Sequence, residues 1–133
     1  MSCDVEVLTT FRVGDADWLT LLIEESALLA DCEAFSPVDL SSLTEAEFTA
    51  NRIIPVSPTS RITKLFSLGE IVVVGDATDG WLRILLEATD LTTAGVYEFL
   101  VRLTFGTSRG PTSWPKLSAD SPDLPRFEVM AAL

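Results

Sequence analysis

From Val96 to Phe105 the chain alternates without a break. Tyr97, Phe99, Val101, Leu103 and Phe105 fall on one side, and Glu98, Leu100, Arg102 and Thr104 on the other. Successive side chains of a strand point to opposite faces, so this period of two predicts a strand with one face in a core. The signal recurs: Val5, Val7, Phe11 and Val13 share one face, and Leu19, Leu21 and Ile23 share another. Ala46, Phe48 and Ala50 lie opposite Glu45, Glu47 and Asn51. The apolar run 71–74 is followed by an Asp79-Gly80 turn signal, which makes 71–87 a hairpin. With "PTSWP" and "RFEVMAA" the pattern predicts seven or eight strands. That count, with polar or Gly/Pro turns, specifies an all-β sandwich, a barrel being the second choice. No helix longer than two turns is expected; "EESALLADCEAF" is the best candidate and reads equally as a strand end plus a loop. The irregular stretch 55–69, "PVSPTSRITKLFSLG", reads as a long loop between strands.

Gly95 stands two residues before Tyr97 at the start of the alternating strand. In Greek-key sandwiches a tyrosine there turns its hydroxyl back onto the backbone of the preceding turn and pins the corner. Glycine suits a turn position that needs positive φ. Gly95 and Tyr97 are therefore the expected structural corner. The immunoglobulin cysteine position, two residues past the tyrosine, is Phe99 here, so the corner comes without the disulfide.

At 133 residues the chain is the size of one domain, 1–133, and can bury roughly two-thirds of its unfolded surface without a disulfide or metal. Cys3 and Cys32 are too few for a disulfide framework and read as free thiols. The apolar fraction of 47% is high for a small domain with a polar surface, which favours an apolar face turned to a partner. Charge is uneven: residues 1–50 hold eleven of the twenty acids against Arg12 alone, while residues 51–133 are nearly balanced. An acidic half repels phosphate backbones, so nucleic acid is not an expected partner. The start "MSCDVEVL" has no signal-peptide pattern and no apolar run approaches a membrane span, so the expectation is a soluble product of a cytoplasm.

Chemistry is scarce. The chain has no histidine, which removes histidine triads, proton relays and histidine metal sites. The cysteines form no CxxC pair, and there is no phosphate-binding glycine loop. Glu45 with Glu47, and Asp76 with Asp79, are neighbours in sequence rather than carboxylates facing across a cleft. No catalytic residue, metal site or cofactor is expected. Trp18, Trp81 and Trp114 read as core or corner packing, or as a sugar-stacking platform; Trp114, between Ser113 and Pro115, has the best claim to exposure.

Several stretches together resemble the immunoglobulin-like modules of tailed-phage structural proteins, especially the N-terminal domain of baseplate upper proteins and related short tail or neck proteins. "FRVGDADWLTLLI" is similar to the family's opening strand, Gly-Asp turn and second strand. "SPVDLSSLTEAEF" is similar to its Val-Asp-Leu segment and third strand. "GWLRILLEATDLTTAGVYEFLVRLTFGTSRGPTSWP" and "RFEV" are similar to its later strands and glycine turns. The long stretch 55–69 and the insertion "KLSADSPDLP" depart from that pattern. The resemblance implies an immunoglobulin-like sandwich and a non-enzymatic virion component of the tail, baseplate, neck or head surface. Its partners would be other virion structural proteins, with a homo-oligomer within the assembly, and neither nucleic acid nor membrane. A carbohydrate-binding or adhesin-type sandwich is the alternative. For the docking site the expectation falls on the 55–69 loop. There Ile62, Leu65 and Phe66 would either fold back as a plug on the end of the sandwich or supply apolar contact to a neighbouring subunit, with Arg61 and Lys64 then meeting the acidic first half of another copy.

Overall fold

Among the described residues, nine strands form two sheets: β1 (Thr9–Arg12), β2 (Asp17–Leu22), β3 (Leu43–Ile54), β4 (Val56–Leu65), β5 (Ile71–Val73), β6 (Trp81–Leu86), β7 (Gly95–Phe105), β8 (Thr112–Trp114) and β9 (Arg126–Met130). The structure is a computed structural model and describes residues 9–24, 37–106, 110–114 and 124–131. Cys3, Cys32 and all of the helix candidate except Glu24 lie outside the described residues. The larger sheet has the order β1-β9-β7-β3-β4, with β8 also paired to β7; the smaller has the order β2-β6-β5. All pairings are antiparallel except β1 with β9. This is an all-β fold with the arrangement of a β-sandwich, and no α-helix occurs among the described residues.

Alternation builds the core. The five apolar residues of β7 from Tyr97 to Phe105 are all buried, as are Ala46, Phe48 and Ala50 of β3 beside them. The smaller sheet contributes Leu19 and Leu21, then Leu82, Ile84 and Leu86. Phe99 lies at the middle of an aromatic cluster, its ring centroid 5.3 Å from Phe48, 6.4 Å from Trp114 and 5.8 Å from Phe127. Such tilted ring pairs add to the stabilisation that area burial alone gives.

The stretch 55–69 is not a loop. Residues 56–65 are β4, which follows the Ile54–Pro55 turn and pairs with β3 from Ile53↔Val56 to Glu47↔Leu65. Only one turn of 3-10 helix, Phe66–Leu68, and the bend at Gly69 remain irregular. Pro55 and Pro58 gave the segment its loop-like composition, but β4 is the last strand of its sheet. A proline costs an edge strand no ladder bond when its nitrogen faces away from the neighbour. The hairpin at 71–87 forms as β5 and β6. Between them Asp76 caps a 3-10 turn at Ala77–Asp79, and Gly80 follows with φ +78°.

Candidate functional site

The corner is built from the turn before β7. Tyr97 Oη donates a hydrogen bond to the carbonyl of Thr93 at 2.9 Å, and its ring stacks on Phe127 with centroids 5.1 Å apart. Burial pushes the Tyr97 phenol above its usual range, with Arg52 opposing the rise. Gly95 has φ +150°, a region glycine enters freely and other residues resist. A Cβ there would also collide with the Ile54 carbonyl and lie 2.7 Å from Arg52 Cδ. That close approach of β3 to β7 is a second demand for glycine which spacing alone does not reveal.

The five residues expected to dock a neighbour do not share a surface. Ile62 and Lys64 lie on the inward parity of β4 and are buried. Lys64 Nζ meets Asp90 Oδ2 at 2.6 Å and Glu70 Oε2 at 3.5 Å, so its charge is matched inside its own sandwich and unavailable to another copy. Burial draws the Lys64 ammonium down, but the hydrogen bond and charge of Asp90, with the charges of Glu70 and Glu87, outweigh it and leave the group above its usual value. Leu65 is half-buried, and Phe66 is half-buried against the core. Arg61 alone is exposed, its Nε donating to Asn51 Oδ1 at 3.0 Å. A polar groove of about 390 Å³ runs beside Arg61 to Thr93 and Tyr97.

Two of the four carboxylates weighed for catalysis, Glu45 and Asp76, bond to the backbone. Glu45 Oε1 accepts from the amides of Ala46 at 2.9 Å and Ser67 at 3.1 Å; the Ser67 hydroxyl first, then these amides, hold its carboxyl below the usual range. Asp76 Oδ1 accepts from the Thr78 amide at 3.0 Å and hydroxyl at 2.8 Å, with the same consequence. Among the described residues no group of acids is placed to hold a metal ion.

The tryptophans separate. Trp114 is 2% exposed, so the residue with the best claim to the surface is in the core, its indole filling the space beside Phe99. Trp18 and Trp81 are 37% and 40% exposed and share the outer face of the β2-β6-β5 sheet. In register, Trp18 faces Leu85 and Trp81 faces Leu22, while Arg83 lies between Thr20 and Val72. The Arg83 guanidinium sits 4.7 Å from the Trp18 ring centroid. The outer face of the larger sheet differs: Asn51 aligns with Arg61 and Glu98, Glu98 with Arg126, and Glu47 with Arg102. One face is laced with opposite charges; the other carries the two indoles, Leu22, Val72 and Leu85 around Thr20 and Arg83. "WLTLLI" and "WLRILL" carried this signal, because strands apolar on both parities are covered on both faces or await a cover. No protein-family model matches the chain, and a search of curated proteins finds no match.

Proposed function

We propose that the chain is a non-enzymatic assembly module with an immunoglobulin-like sandwich, acting as a structural component of a tailed-phage particle through protein–protein contacts. The strand order supports the fold assignment. β7, β3 and β4 stand in the order of the variable-type F, C and C′ strands, β9 stands as G, and β2, β6 and β5 form the opposing sheet. The tyrosine bond at the start of β7 belongs to the same architecture. In place of the inter-sheet disulfide, Phe99 centres the aromatic cluster.

The observation that carries the functional reading is the outer face of the smaller sheet, where Trp18 and Trp81 remain exposed beside Leu22, Val72 and Leu85, with Thr20 and Arg83 between them. Exposed apolar side chains grouped on one face mark interaction surfaces. Aromatic residues at the centre of an interface contribute most of its affinity. The test is whether the chain is a fixed-stoichiometry component of purified phage particles and whether the Trp18→Ser/Trp81→Ser protein, folded, is left out of them. Absence of the chain from particles, or normal incorporation of the double variant, sinks the reading. A reproducible turnover lost on Glu45→Gln or Asp76→Asn would overturn its non-enzymatic part.

A further inference from the structure

The same face specifies the chemistry of its partner, and the argument rests on the assembly reading above. Its outward rows are Trp18 with Leu85, Thr20 with Arg83 and Val72, and Leu22 with Trp81, so the two indoles stand four residues apart along the strands, roughly 13 Å, on either side of Arg83. Arg83 is the one cation on these three strands, and stacking on Trp18 engages it already. The ends of the strands are acidic. Asp17, aligned with Leu86, and Glu87 are exposed at one end, where the neighbouring base, Lys64, is already paired with Asp90 and Glu70; Asp76 and Asp79 are exposed at the other, with no base in the turn 74–80. The result is an aromatic and aliphatic face, its central cation engaged by Trp18, set between acidic strand ends.

A second copy is a poor occupant of such a face. Two-fold pairing would set one acidic rim against another whichever way the strands ran, in a chain already at net charge −11. An anionic membrane or nucleic acid meets the same repulsion. We infer that the face docks a different protein, apolar at its centre and rich in Lys and Arg along its edges. Opposite rims steer the encounter and set its register, while burial of Trp18 and Trp81 against apolar side chains provides the affinity.

The probe is a fluorescein-labelled ten-residue peptide of alternating Leu and Lys, compared with Leu/Glu and all-Lys peptides of the same length. Anisotropy with the intact protein should show the Leu/Lys peptide binding at least tenfold more tightly than either control, and about tenfold more weakly when salt is raised from 50 to 300 mM. Asp17→Asn/Asp79→Asn should weaken binding and flatten its salt dependence, whereas Glu47→Gln, on the other sheet, should leave both unchanged. In the unmutated protein the indole N–H resonances of Trp18 and Trp81 should shift on titration while that of buried Trp114 stays still, a readout that needs no variant to fold. Several results overturn the inference: equal binding of the all-Lys or Leu/Glu peptide, a shift confined to Trp114, a concentration-dependent dimer that buries Trp18 and Trp81, or a glycan that moves those two resonances. If the Leu/Lys peptide fails to bind while Trp18→Ser/Trp81→Ser still blocks incorporation into particles, the partner chemistry is wrong and the assembly reading stands. Normal incorporation of that variant removes both.

Discussion

Lys64→Met tests how the two sheets are tied at the open side of the sandwich. Lys64 leaves β4 on its inward face and joins Asp90, in the turn before β7, and Glu70, just before β5, so one ammonium links both sheets. Methionine keeps most of the buried stem and deletes the charge. The 2.6 Å contact with Asp90 is a charge-assisted hydrogen bond, worth about 1.5–3 kcal/mol. The 3.5 Å contact with Glu70 adds less than about 1 kcal/mol. The abandoned carboxylates keep 20% and 27% side-chain exposure, so water reaches them and the loss stays below the ~3–5 kcal/mol of a fully buried broken pair. The expected cost is about 2–3 kcal/mol. For 133 residues each kcal/mol moves the midpoint by about 3.5 °C, so Tm should fall by about 7–10 °C. The linkage has a definite sign. Because the folded Lys64 lies above its usual 10.5, its contribution is fully present below pH 10.5 and is lost as pH rises through the folded value. The gap between wild type and Lys64→Met, measured by urea denaturation, should therefore be constant through neutral pH and narrow in alkali. A cost under about 0.5 kcal/mol at pH 7, or a gap that persists undiminished in strong alkali, would refute the reasoning.

The corner gives a second test: Tyr97→Phe should cost about 1 kcal/mol by losing the bond to Thr93, and unchanged denaturation midpoints would remove the anchor role. Gly95→Val should cost more, since it combines a forbidden φ with a collision against the Ile54 carbonyl; a melting midpoint equal to wild type would contradict the close approach. In acid, Asp39, Glu45 and Asp76 all carry lowered values from hydrogen bonds to nearby hydroxyls and amides. Their contribution is present above the unfolded values and lost as pH falls through the folded ones. Stability measured downward from pH 5 should fall less steeply in Asp76→Asn than in wild type.

What the sequence made legible was the set of contacts written in side-chain period, and what it hid was the set decided by neighbours. β7 was readable because five apolar residues at a period of two leave one solution, a strand with that face inward. β4 carries the same period in Arg61, Ile62, Thr63 and Lys64, alternately exposed and buried, but two prolines and a lysine masked it. A lysine on the inward parity looks like an error until Asp90 and Glu70, from two later segments, are brought to it. Composition reports the average environment of a residue type, whereas a paired charge depends on partners that only the fold assembles. Trp114 failed for the related reason that polar neighbours in sequence say nothing about Phe99, which packs beside it from a different strand. Exposed Trp18 and Trp81 invert the case: core or corner packing is one of their two readings, yet "WLTLLI" and "WLRILL" are largely apolar on both parities, and the parity of the indoles is the outer one. Trp18 and Trp81 place part of the exposed apolar surface on the smaller sheet, while Ile54, Leu68 and Met130 are exposed elsewhere, and Asp17 brings one acid of the first half to the end of that sheet. Under the proposed docking the two properties act on one surface, because a charge that keeps unassembled copies apart would also favour a partner of opposite sign.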